Sequence, residues 1–298
     1  MKKKILAIIL SMAMVISIAP VSALATDVES YESIKQRVSS VYGIPLEIVD
    51  TLSEEKVRGM DVDESQVISA QEQYIHYVVD DEGNSTAIPS TEEEYLEYAA
   101  LPVTCSNPKT EDNGWMKIYL IIINNGATLD ISSTYTWLIQ PRVTYGQHDM
   151  LTITWENGSY VRGSAEGFYS YQTDFAGNHS EDLNSSYFKQ PTDNPKSINY
   201  AHPMNDSGAR KNEFFHMMVT IEKNTGLSRE YASSSYSQQY KSFNLAGLLG
   251  GASGIVGAFY IPSVGAKALC IALAASSILA GTDVCYETYT IEADAKVN

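Results

Sequence analysis

Five histidines, His76, His148, His179, His202 and His216, are the first candidates for metal or acid-base chemistry in this chain. None stands at the spacing that puts two imidazoles on one helix face, and H-E-x-x-H is absent, so the sequence gives no support for a zinc hydrolase. Gln147-His148-Asp149 sets an imidazole beside a carboxylate. Adjacent residues of a strand point to opposite faces, so a turn is expected there rather than a catalytic pair. No G-x-S-x-G elbow occurs, and Gly251-Ala252-Ser253-Gly254 is one residue short of it. The same glycines make neither G-x-G-x-x-G nor a phosphate-holding G-K-[ST], and they read as packing glycines. Asp174, Asn178 and Asp182 offer oxygen ligands, but the order lacks the glycine and terminal glutamate of a calcium loop, and a solvated loop is expected. Carboxylate pairs suited to glycoside cleavage can be assembled anywhere among so many acids, so only their separation in space could single one out. The reading is therefore non-enzymatic, with no metal and no cofactor.

Charge narrows the partners. The chain has 298 residues, with 36 Asp or Glu against 20 Lys or Arg and a net charge of -16. Nucleic-acid affinity comes from clustered cations, and no such cluster follows Lys4, so nucleic acid is excluded as a partner. Lys2, Lys3 and Lys4 precede an apolar run, Ile5 to Val21, and Ala23-Leu24-Ala25 supplies small residues for cleavage. Residues 1–25 read as a secretory signal peptide, and the expected location is secreted or at the cell surface. Loss of those three lysines takes the net charge from -16 to -19. Cys105, Cys270 and Cys285 leave one bridge and one free thiol as the simplest arithmetic. Cys270 and Cys285 are the nearest pair in sequence, although Cys105 could join either.

The acid is concentrated in residues 26–98, with 18 acidic and 4 basic side chains. Helical patterning over Val28 to Val41, Pro45 opening a short segment to Leu52, and capping boxes at Thr51–Glu54 and Ser90–Glu93 mark helices, with a lone strand at Gln73 to Asp80. This acidic region reads as a small α/β lobe or a propeptide.

Residues 99–242 read as an antiparallel β-domain. Trp115 to Ile123 and the alternating Ile131, Ser133, Tyr135, Trp137, Ile139 flank Asn125-Gly126 and should form a hairpin. Met150 to Glu156 runs into Asn157-Gly158, a two-residue turn that should set Tyr160 against Trp155. A third pair, Phe214 to Glu222 and Arg229 to Tyr240, surrounds Asn224-Thr225-Gly226. Asp174 to Asn212, rich in Asn, Ser, Asp and Pro, reads as a long loop. Tyrosine outnumbers phenylalanine 20 to 7, as suits half-buried strands, and Trp115, Trp137 and Trp155 are placed in the core.

Residues 243–281 break this texture: Lys267 is the one charged side chain in Phe243 to Gly281. Pro262 divides the segment into two arms, read as a helical hairpin. Gly250, Gly254 and Ala258 repeat every fourth residue on the first arm, beside Gly247 and Phe259; Ala272, Ser276 and Ala280 do so on the second. Such a glycine zipper lets two helix backbones approach closely. Each arm nearly matches the roughly 20 residues that cross a bilayer core. Residues 282–298 return as a Tyr- and Thr-rich strand, so the hairpin is inserted.

The expected fold is mainly β with helical elements: an antiparallel β-sandwich or open barrel carrying the hydrophobic hairpin, plus the acidic N-terminal region. Two functions follow. In the first, a toxin-like or bacteriocin-like protein associates with a lipid membrane through the hairpin. In the second, the hairpin is buried core and the protein is an extracellular or cell-surface binding module for a glycan or protein.

Overall fold

The computed structural model describes residues 29–80, 85–100, 113–139, 148–173, 177–190, 196–203, 210–241 and 284–297. Two antiparallel sheets stack on one another. The larger runs in the order β2-β1-β3-β4-β10-β7-β8, and the smaller in the order β12-β11-β5-β9. The large-sheet strands are β1 (Val67–Val79), β2 (Ser85–Ser90), β3 (Asn113–Asn124), β4 (Thr128–Ile139), β7 (Glu166–Thr173), β8 (Gly177–Leu183) and β10 (Arg210–Glu222). Two-residue β6 (Ser159–Tyr160) pairs with the end of β10. The small sheet holds β5 (His148–Trp155), β9 (Ser197–Pro203), β11 (Arg229–Lys241) and β12 (Val284–Lys296).

Alternation along these strands fills the space between the sheets. Met116, Ile118, Leu120 and Ile122 of β3, Phe215, Met217, Val219 and Ile221 of β10, and Leu151, Ile153 and Trp155 of β5 join one buried cluster with Tyr135, Trp137 and Tyr236. The β3–β4 hairpin forms as expected, its turn made by Gly126 at φ 80.

Two other expected hairpins do not form. β5 belongs to the small sheet and β6 to the large one, so Asn157-Gly158 carries the chain between layers. Likewise β10 pairs with β4 and β7, whereas β11 pairs with β5 and β12, so Asn224-Thr225-Gly226 is also a crossing. Local turn chemistry reports a reversal of direction and not which sheet receives the next strand. Trp155 and Tyr160 still meet, with ring centroids 6.2 Å apart. Asp174 to Asn212 contains two strands, β8 and β9, where one long loop is expected. Both are edge strands whose exposed positions accept polar residues, which hid their alternation.

The N-terminal region joins this frame. β1 is no lone strand; it pairs with β2 on one side and along β3 on the other. Three short helices, α1 (Tyr31–Tyr42), α2 (Leu46–Val49) and α3 (Glu54–Gly59), cover the outer face of the large sheet. Ser30 caps α1 by accepting from Ser33 N at 3.2 Å, and Gly43 ends it in the left-handed region at φ 64. A side chain at Gly43 would also strike the Tyr119 ring, whose Cδ1 lies 2.9 Å from the added Cβ. Ser53 caps α3, not Thr51, whose hydroxyl instead bonds Ile48 O and Ser180. A second box falls one residue later than expected, with Thr91 and Glu94 bonding each other's backbone N–H ahead of α4 (Glu92–Ala100).

Candidate functional site

The chemistry-bearing residues gather between the sheets near one end. Where a turn is expected, His148 opens β5 and Asp149 follows on it, fully buried, while Gln147 lies outside the described residues. Alternation turns Asp149 inward with Leu151 and Ile153, and its register partner on β9 is His202, also buried. From the large sheet, β10 brings Glu213 and β7 brings Tyr169; from β11 come Tyr236 and Gln238. The pairing of β10 with β7 shifts register between Lys211 and Phe214, so Glu213 sits at an irregularity of the kind that re-aims side chains.

Each buried acid of this cluster has a tyrosine. Tyr169 donates its hydroxyl to Glu213 Oε1 at 2.7 Å. Tyr236 donates to Asp149 Oδ2. Burial first, then the negative charge of Asp149, holds the Tyr236 hydroxyl well above its ordinary titration, with Glu213 adding to the effect. Tyr236 therefore stays a donor at any working pH. The His202 ring lies 4.5 Å from Tyr169 and 4.2 Å from Phe215. Trp137 meets the Tyr236 ring edge-on at 5.4 Å.

These acids, phenols and imidazole are all buried. They tie β5, β9, β7, β10 and β11 together, because removing either member of a buried acid–phenol pair leaves a desolvated polar group without its partner. The sequence singled out Asp149 by its neighbour, but Glu213, Tyr169 and Tyr236 carried no local signal; only the crossing of chain between layers brings them together.

Strand register fixes what lies at this end. β4 ends and β5 begins there, β9 ends and β10 begins there, and Lys241 at the end of β11 faces Val284 at the start of β12. The opposite end carries the turns 125–127 and 223–228, the connection 184–196 from β8 to β9, and one further polar anchor. Glu230, buried on β11, accepts from Glu156 N at 2.9 Å, Asn157 N at 2.8 Å and Gly158 N at 3.0 Å, which fixes the crossing from β5 to β6. Gly158 is required there by space, since a Cβ would stand 2.8 Å from Glu222 O.

A third polar residue sits outside the sandwich core, beneath the helices. His216 is fully buried against Tyr42 and Phe168, its Nε2 2.9 Å from Ser132 Oγ. Burial, helped by Lys56, drives its titration down to about 3, so the ring is neutral. Trp115 also lies off the core that the sequence assigned to it. It stacks on the outer face between His76, at 4.2 Å, and Tyr98, at 5.1 Å.

The expected membrane-interacting residues Gly247, Gly250, Gly254, Ala258, Phe259, Lys267, Ala272, Ser276 and Ala280 all lie outside the described residues, as do the signal peptide, Cys105 and Cys270. Cys285 is on β12, and its bridge to Cys270 stands as an expectation. Asn178 and Asp182 lie on strand β8, not in a loop. Among the described residues no cluster of His, Cys, Asp and Glu could hold a metal ion. Among them, too, no helix is long and apolar enough to cross a membrane.

No known protein family and no curated protein matches this chain. Among solved structures, the collagen-binding subdomain of the Enterococcus faecalis surface protein ACE aligns with 57% of this chain and 88% of its own, at 8% identity and a TM-score of 0.29. The pilus backbone of Streptococcus pneumoniae aligns with 39% of this chain at 6% identity and a TM-score of 0.28, and this chain spans 25% of its length. Clostridium perfringens delta-toxin aligns with 62% of this chain and 84% of its own, at 6% identity and a TM-score of 0.19. Likenesses at these scores carry no ligand or activity over to this chain.

Proposed function

We propose that this protein is an exported, non-enzymatic binding module that meets an extracellular protein or glycan with one end of its sandwich. The observation that supports this reading is the buried polar cluster beneath one set of strand ends. That end gathers the strand ends that flank 140–147, 204–209 and 242–283, whereas the other carries the turns 125–127 and 223–228 and the connection 184–196. Rigid strands that hold variable connections at one end are the usual plan of a binding scaffold, because the connections can change without touching the core. The buried acid–phenol pairs fit that plan, since they fix the strand ends from which the connections leave. The leader-like sequence of residues 1–25 supports a position outside the cell for such a module.

The test is binding of the secreted protein to arrayed extracellular-matrix proteins and glycans. Exchange of 140–147 and 204–209 for glycine-serine linkers of equal length should lower affinity for any hit at least tenfold. Leu227→Ser, at the opposite end, should leave it unchanged. Binding that depends on Leu227 and ignores both exchanges would reverse the assignment of ends, and an array without a hit would sink the reading.

A further inference from the structure

We propose that the N-terminal helices are an acid-opened cap: residues 31–60 lift off the large sheet as one body when His216 takes up a proton, while both sheets stay folded. The connections of the layer favour that division. Among the described residues no backbone hydrogen bond joins 31–62 to a strand, and ladder pairing begins with Val67 of β1. Inside the layer, Lys35 of α1 bonds Asp50 beyond α2 at 2.7 Å, and Arg37 bonds Asp61 beyond α3 at 2.7 Å, so the three helices are tied to one another. The described polar ties to the sheet run between side chains: Lys56 to Glu166 and Thr51 to Ser180. The chain leaves the layer through Asp63, whose capping box closes the short turn Glu64–Gln66 ahead of β1 and marks the hinge.

His216 sits at the joint between cap and sheet. Its ring meets Tyr42 of α1 edge-on at 5.4 Å and stacks on Phe168 of β7 at 5.2 Å, so the cap forms one wall of its site. Nε2 lies 2.9 Å from Ser132 Oγ of β4, and the buried Nδ1 has no hydrogen-bond partner. The charged groups nearby do not welcome a second positive charge. Lys56 of α3 opposes protonation of the ring, and the one acid that could offset it from β7, Glu166, is paired with that lysine. Asp130, two residues from Ser132 on β4, is held by Thr220 at 2.6 Å and by Asn125 at 2.5 Å. Tyr42 offers only a phenol that burial keeps protonated. An imidazolium under the closed cap would therefore face a cation and carry an N–H without an acceptor, whereas in the open state water solvates it. The closed ring titrates at about 3 and the open one near 6.5, so each pH unit between them multiplies the open-to-closed ratio by up to tenfold. Opening bares Ile121, Ile123, Phe168, Phe214 and Met218 together, and the proton thus controls how much apolar surface the protein shows.

The test is hydrogen exchange of the whole secreted protein, read by mass spectrometry at about pH 7 and about pH 4.5 and corrected for the intrinsic rate at each pH. Exchange within 31–60 should rise roughly fifty- to a hundredfold between the two, while β5 and β11 keep their protection. Joint loss of protection in the helices and both sheets would make the event global unfolding and overturn the proposal, as would no rise within 31–60. Neither result needs a variant. His216→Gln then assigns the trigger: its rise should fall below about threefold, whereas the control His76→Gln, on the same face but stacked on Trp115 under α4, should keep the rise of the wild type. Equal rises in all three proteins would take the switch away from His216 and overturn the proposal.

Discussion

The two outer faces of the sandwich are built on opposite terms. The large sheet turns Ile121, Ile123, Phe168, Phe214 and Met218 outward, and the N-terminal helices bury them with Ile34, Val38, Val41, Val49, Val57 and Met60. The small sheet turns outward a grid of short hydroxyl side chains. A cover on the first face is held by apolar area, at about 1.5–3 kcal/mol for each fully buried large side chain. A few polar ties add register, among them Lys56 to Glu166 at 3.2 Å and Thr51 to Ser180 at 2.6 Å. The second face has little apolar area to offer, and its hydroxyls pair with one another instead. An acidic helical layer can thus be permanent although most of its outward residues are charged.

Phe168→Ala should give the largest effect. It opens a cavity at the centre of the helix-covered face, where its ring stacks on Phe214 at 5.6 Å and on His216 at 5.2 Å. A loss of about 3–5 kcal/mol in chemical denaturation is expected, with early proteolysis within 31–60. A loss below about 1 kcal/mol would mean that the helices do not depend on that face.

Acid should undo the same face next. His216 titrates near its ordinary value when unfolded and at about 3 when folded, so its contribution is complete above roughly pH 6.5. It is lost as pH falls from there toward 3, at roughly 1.4 kcal/mol per unit for a single site. The groups around it are Lys56 on α3, Tyr42 on α1 and Phe168 on β7. His216→Gln retains a hydrogen-bonding group for Ser132 and does not titrate, so its stability should fall less steeply over that range. Parallel slopes for variant and wild type would assign the acid sensitivity to other groups.

A smaller change confined to the helical layer is Ser53→Ala. It removes the hydroxyl that accepts from Lys56 N at 3.2 Å and should cost about 1 kcal/mol. The cost should appear as fraying of α3, seen by hydrogen exchange, with no change in the small sheet.

The strands were legible where both partners lie close in sequence. β3, β4 and their Gly126 turn follow from alternation and one turn signal. Legibility failed wherever the chain changes layer. Asn157-Gly158 and Asn224-Thr225-Gly226 look like hairpin turns because the local backbone does reverse there, and the choice of sheet depends on Glu230 and on core packing far along the chain. The polar cluster was hidden for the same reason. Asp149, Glu213 and Tyr236 come from three strands in two sheets, and each alone is an ordinary polar residue in an alternating run. Trp115 was misread because aromatic rings mark either face of a strand, and the helix that covers it, α4, is predominantly acidic.

The smallest expected effect bears most directly on the contrast between the faces. Thr154 and Ser233 bond to each other on the hydroxyl face and are 2% and 3% exposed. If that face is covered, Ser233→Ala strands the Thr154 hydroxyl in a dry place and should cost about 1 kcal/mol, whereas Thr154→Val with Ser233→Ala removes both partners and should come back close to wild type. If the face is wet, water replaces the lost partner, and the single and double variants all stay within about 0.5 kcal/mol of the parent. The sign of the non-additivity in the cycle therefore reads the dryness of the face without any label or protease. Costs that simply add would contradict a covered hydroxyl face.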